Sequence, residues 1–164
     1  MLNVDVDQFT LMLIPKCKFE FDEWREEVAP NIISDFIKRT KLREVLGEIN
    51  ESDQSLPVGY NIGFNVNNSL FYFNIAYNDH MPKMYVIVYF SGFAWTTYVK
   101  NFETLYGETM NIRRFFKLLD VDFYDYRLSR IDNCIDFINE GISISQLKKS
   151  IENGRTEVRY GRYK

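Results

Sequence analysis

Ser129-Arg130-Ile131-Asp132-Asn133-Cys134-Ile135-Asp136-Phe137 is the stretch on which the reading of this chain turns. Its β-branched and apolar residues predict a strand, and side chains of a strand alternate between two faces. Arg130, Asp132, Cys134 and Asp136 then share one face, and Ile131, Ile135 and Phe137 share the other. The second face is expected to be core, so the strand is expected at the centre of a sheet. The first face carries two carboxylates and a guanidinium. At about 3.3 Å per residue, Asp132 and Asp136 stand roughly 13 Å apart, too far to share one ion unless the strand bends. Either acid can bind an ion with help from another element. The bland alternative is that Arg130 neutralises the two acids in a structural network.

Composition narrows what such a face can hold. The chain has 164 residues, 46% hydrophobic and 16% aromatic, with 14 Phe and 11 Tyr. That is enough for one domain with a real core, and it excludes a disordered chain. No run of about 18 apolar residues predicts a membrane span, and the acidic start offers no basic signal-peptide region. Cys17 and Cys134 are far apart and in no metal-type spacing, which fits a reducing, cytoplasmic setting. The single histidine, His80, sits in a polar connection and reads as a surface residue. Any metal would therefore rest on oxygen ligands, favouring Mg²⁺ or Mn²⁺ over Zn²⁺.

Net charge is −3, but it is unevenly spread. Residues 1–60 hold 7 Lys/Arg against 12 Asp/Glu, a balance of −5, while residues 61–164 hold 13 against 11, or +2. The last 19 residues place Lys148, Lys149, Arg155, Arg159, Arg162 and Lys164 against Glu152 and Glu157, with Tyr160 and Tyr163 interleaved. Basic and aromatic groups together suit phosphate and single-strand contact; a solvated tail is the ordinary alternative.

Outward from the central stretch, the pattern predicts an α+β fold. Alternation over 6–16 gives a first strand ended by Pro15. A helix follows, capped by Asp22, with Trp24, Val28, Ile32 and Phe36 forming an apolar stripe and Pro30 predicting a kink. It is expected to extend, directly or as a second helix, to Gly47. Residues 50–59 read as a loop. Three strands then follow over 60–66, 70–77 and 84–90, the first two joined by an Asn67-Asn68-Ser69 turn and the third placed centrally. Helices are expected from Thr97 and, capped by Thr109, over Ile112–Leu119. Arg113, Arg114 and Lys117 form the solvated side of the latter. After the central strand, Ser143 and Gln146 form a capping box, Ile142 and Leu147 a staple, and Asn153-Gly154 a C-cap. Residues 156–163 read as a last strand. The expectation is one domain over 1–164, with a largely antiparallel sheet of five to six strands, helices on one face, and the order β-α-β-β-β-α-β-α-β.

Ser-Arg-Ile-Asp followed by Ile-Asp, ahead of a helix ending in Asn-Gly, resembles the replication initiation factor family. These are rolling-circle plasmid initiators and relaxases of conjugative elements. The likeness extends in order through Val6-Asp7-Gln8-Phe9-Thr10, Phe90-Ser91-Gly92, Phe102-Glu103, Phe116-Lys117-Leu118-Leu119 and the segment from Lys148 to Gly154, covering about residues 5–160. The resemblance implies DNA nicking and joining through a tyrosine nucleophile and a divalent metal, Mg²⁺ or Mn²⁺. Asp132 and Asp136 would then support the metal. Arg130, with Lys148, Lys149, Arg155, Arg159 and Arg162, would contact origin, hairpin or single-stranded DNA. In the family the nucleophile lies farther downstream, so it is expected beyond Lys164 and this chain alone is expected to be inactive. The strand Val86-Ile87-Val88-Tyr89-Phe90 departs from the family in offering no ligand other than the Tyr89 hydroxyl. The chain is thus expected to be the N-terminal part of a longer initiator of this kind. Open alternatives are a non-enzymatic DNA-binding or regulatory module, and a protein-interaction domain built on an aromatic-rich sheet. A homodimer is a further open expectation.

Overall fold

A computed structural model describes residues 2–52, 56–66, 71–137, 141 and 143–155. The order is β1 (Leu2–Pro15), α1 (Phe21–Glu23), a π turn (Trp24–Val28), α2 (Ala29–Arg39), α3 (Leu42–Leu46), β2 (Ile49–Glu51), β3 (Ile62–Val66) and β4 (Phe73–Tyr77). A 3₁₀ turn (Pro82–Met84) leads to β5 (Val86–Phe90), α4 (Gly92–Tyr106), α5 (Ile112–Lys117), β6 (Tyr124–Phe137) and α6 (Ile144–Glu152). The strands form one six-stranded sheet in the order β2-β3-β4-β5-β1-β6. Strands β2 to β5 are an antiparallel meander, and β1 pairs antiparallel with β5. The α+β architecture, the antiparallel sheet and the interior position of β5 match expectation.

One face of this sheet carries the core. Phe9 of β1 lies opposite Phe90 of β5, which lies opposite Phe73 of β4. The Phe9 and Phe90 rings stack at 4.8 Å, and Trp95 of α4 and Phe115 of α5 meet both edge-on. Phe36 of α2 reaches Phe115 at 6.2 Å. Offset and edge-to-face arrangements are those that aromatic quadrupoles favour. Trp95, Tyr98, Phe9, Phe36, Phe90 and Phe115 are all essentially inaccessible to water. Each large apolar side chain so buried contributes about 1.5–3 kcal/mol relative to exposure.

The helices are placed by their ends. Ahead of α1, the Glu20 N–H donates to the Glu23 carboxylate at 2.7 Å, so the cap is Glu20 and not Asp22. The kink expected at Pro30 takes the form of the π turn before it: Pro30 has no N–H to close the preceding α turn, and Ala29 N–H instead reaches back to the Trp24 carbonyl. Lys41, left-handed at φ 53°, separates α3 from α2. Helix α4 starts at Gly92 rather than Thr97, because Ser91 Oγ accepts from the Ala94 N–H at 3.3 Å. Gly92 is needed there: a Cβ would stand 2.4 Å from Asp7 Oδ1 and 3.0 Å from the Asp7 carbonyl oxygen. In α5 the cap is Asn111, which accepts from Arg114 N–H at 2.9 Å, not Thr109. Residues 50 and 51, expected in a loop, instead join Ile49 in the short edge strand β2.

The largest correction concerns the stretch first quoted. β6 is an edge strand, next to β1 alone, and not the sheet's centre. The side chains expected as core are exposed, Ile131 39% and Ile135 54%. The apolar cluster takes Tyr124 from the start of β6 and includes neither Ile131 nor Ile135. The Phe137 side chain, the Asn67-Asn68-Ser69 turn, Ile142 of the staple and the strand over 156–163 lie outside the described residues.

The chain divides into two compact units, residues 6–133 and a smaller one of residues 1–5 with 134–164. In the smaller unit, Ser143 Oγ caps α6 by accepting from Gln146 N–H at 3.4 Å, and Gly154, at φ 67°, closes it with an N–H to Ile151 carbonyl bond, as expected.

Candidate nucleic-acid interface on the open sheet face

Side chains next to Phe9 and Phe90 point away from the core, so Gln8 of β1 and Tyr89 of β5 lie on the open face. A polar line crosses that face: Asn65 lies opposite Asn74, Asn74 opposite Tyr89, and Tyr89 opposite Thr10. Ser129 of β6 continues it by donating from Oγ to the Thr10 carbonyl at 3.3 Å. Asn74 and Thr10 in this line are buried, and the accessible part lies at Gln8, Tyr89, Ser129 and Arg130.

Beside this line lies a hydrogen-bonded chain from β5 to β6. The Tyr89 hydroxyl donates to Gln8 Oε1 at 3.0 Å, and Gln8 Nε2 donates to Asp132 Oδ2 at 2.5 Å. Arg130 then closes on the same carboxylate, with Nη2 to Oδ2 at 2.6 Å and Nε to both oxygens at 3.1 Å. The Arg130 hydrogen bond first, and Gln8 second, hold the Asp132 carboxyl below its ordinary value. Asp132 in turn raises the Arg130 guanidinium above its own. The pair is therefore ionised throughout the physiological range. Tyr72 packs against Tyr89 at 5.1 Å between ring centres, half-buried. Burial, then the neighbouring Tyr89, pushes the Tyr72 hydroxyl up, so it stays protonated.

The expected site residues thus fall into three groups. Arg130 and Asp132 come together. Asp136, Lys148, Lys149 and Arg155 belong to the smaller unit, where all four are exposed. Arg159 and Arg162 lie outside the described residues. The sequence did not mark Gln8 as a site residue, although it stands in the stretch Val6-Asp7-Gln8-Phe9-Thr10 that carries part of the resemblance. The Tyr89 hydroxyl, considered as a ligand, is engaged by Gln8. Two grooves lie elsewhere: one of about 540 Å³ along Ile33, Ile37, Ile49 and Phe64, another of about 470 Å³ along Phe19, Phe21, Pro82 and Tyr85. Neither contains a residue of the network.

The surroundings of Asp132 bear on how a metal could be held there. Among the described residues, no group of three or more His, Cys, Asp or Glu side chains is placed to hold an ion. Asp132 itself is already bound by a guanidinium and an amide. A hard divalent cation needs several free oxygen donors, and a fixed positive charge beside one of them opposes it. Among the described residues, the donor set around Asp132 does not fit Mg²⁺ or Mn²⁺.

Among solved structures, the chain matches one from Geobacillus stearothermophilus over 99% of its own length, with a TM-score of 0.63 and 18% identity. That protein is a rolling-circle replication initiator. This chain is similar to it in fold. It spans about half of that protein, 54% of the chain. No family model and no curated protein matches the sequence. Among the described residues, no helix is long and apolar enough to cross a membrane.

Proposed function

We propose that this chain is a DNA-engaging portion of a replication initiator of the rolling-circle type, meeting origin DNA on the open sheet face. The observation that carries the reading is Arg130, a half-exposed guanidinium fixed at the end of the Tyr89-Gln8-Asp132 chain and beside a polar line across five strands. The likeness of fold to a replication initiator supports it. A guanidinium is the side chain best shaped for a phosphate, and phosphate contacts supply most of the affinity for nucleic acid. Lys148, Lys149 and Arg155, exposed cations of the smaller unit, are proposed to contact DNA separately from that face. Strand nicking by a tyrosine belongs to the same reading at the level of the whole initiator; none of the described tyrosines is assigned that role. The setting proposed is the cytoplasm, where such DNA resides.

Fluorescence anisotropy with a labelled hairpin oligonucleotide tests this reading. Binding should weaken linearly with the logarithm of salt concentration. Arg130→Ala should lower the slope by about one and weaken binding to all sequences alike. Binding that is absent, or indifferent to salt, would rule the reading out.

A second reading, self-association, is favoured by α6. Its Ile144, Leu147 and Ile151 form a stripe that is 83%, 45% and 40% exposed. Sedimentation should then show a dimer that Leu147→Glu converts to a monomer; a wild-type monomer at all concentrations would exclude it.

A further inference from the structure

The geometry points to Asp132 as a positioning residue for Arg130 rather than a metal ligand, leaving the free edge of the guanidinium to take a nucleic-acid phosphate without a metal ion. This inference rests on the DNA reading above and goes beyond it by naming what each side chain of the network does.

A guanidinium has five N–H donors in a rigid plane. Arg130 commits Nε and Nη2 to Asp132, while Nη1 makes no hydrogen bond among the described residues. The side chain is 57% exposed, so the uncommitted donors face solvent on the edge away from the carboxylate. An exposed Arg–Asp pair alone holds its geometry poorly, because long side chains lose entropy in one arrangement. Here the carboxylate is braced from behind. The Tyr89 hydroxyl donates to Gln8 Oε1, which turns the amide nitrogen of Gln8 toward Asp132. The opposite amide orientation would set a carbonyl oxygen against a carboxylate. Tyr89 therefore fixes Gln8, Gln8 fixes Asp132, and Asp132 fixes Arg130.

The sign of one substitution separates this role from the alternatives. A carboxylate near DNA repels phosphate, so a bystander Asp132 changed to Asn should bind DNA more tightly. A positioning Asp132 changed to Asn should bind more weakly, although the protein has become more positive.

The experiment measures binding of fluorescein-labelled oligo-dT over a salt series, without divalent ions, for wild type, Arg130→Ala, Asp132→Asn and Gln8→Leu. Circular dichroism verifies that each variant is folded. The expected result is a slope lower by about one for Arg130→Ala, a loss in the same direction for Asp132→Asn, and a smaller one for Gln8→Leu. Unchanged or tighter binding by Asp132→Asn would overturn the inference. So would MnCl₂ that broadens the amide NMR signal of residue 132 in wild type but not in Asp132→Asn. If wild type binds no DNA, the DNA reading itself fails. The NMR signal of Arg130 Nε–H then decides the positioning role: a shift to the free-arginine position in Asp132→Asn supports it, and indifference to the substitution overturns it.

Discussion

Asp79 shows at a single residue how the polar groups of this fold are tuned. Its carboxylate accepts from Asn61 Nδ2 at 2.6 Å, and its N–H donates to Asn61 Oδ1 at 3.1 Å. The Asn61 hydrogen bond is the main cause that holds the Asp79 carboxyl below its ordinary value, against the opposing effect of burial. A carboxylate lowered in the folded state stabilises it above the unfolded value, about 3.9, and loses that contribution as pH falls through the folded value. In Asn61→Leu the folded value rises, so acid unfolding followed by fluorescence should begin at a higher pH than in wild type. The Arg130–Asp132 pair was legible in the sequence because a strand's alternation alone puts both on one face. Gln8 was not, because it lies 124 positions from Asp132 and meets it through strand pairing that no local pattern encodes.

Helix boundaries follow from groups that compete to cap them. Asn111 and Thr109 are both plausible caps by type, but Asn111 Oδ1 is the one that receives Arg114 N–H, while the Thr109 carbonyl accepts from the Arg114 side chain. Asn111→Ala should therefore cost about 0.5–2 kcal/mol in urea unfolding, and Thr109→Ala much less. Gly92 illustrates what a motif can conceal. Phe90-Ser91-Gly92 carries part of the family resemblance, with the helix expected only from Thr97, yet Ser91 caps α4 and Gly92 makes room for Asp7 on the neighbouring strand. Gly92→Ala should destabilise by about 1–3 kcal/mol, as overpacking does. Asp7→Ala should restore only part of that, since the Asp7 carbonyl oxygen remains 3.0 Å from the new Cβ. Ser143 and Gly154, by contrast, were legible because their partners lie within one helix turn.

Across the molecule, one face of the sheet carries the core, and the other is the face proposed to bind nucleic acid. The helix-covered face holds the fold through Phe9, Phe90, Trp95 and Phe115. Phe90→Ala should cost about 3–5 kcal/mol in denaturant unfolding. The class of fold was legible because period-two and helical patterns alternate clearly along the chain. The place of β6 was not, since centre and edge strands differ in which strands pair, and an apolar run of Ile131, Ile135 and Phe137 reads the same in either. The central claim is that the other face, around Arg130, is where nucleic acid binds. Amide and arginine NMR shifts on adding oligo-dT measure it most directly. The account predicts the largest changes at Gln8, Thr10, Tyr89 and Arg130, with Arg113 and Lys117 of α5 undisturbed. Changes confined to α5, with Arg130 and Gln8 unmoved, would contradict it.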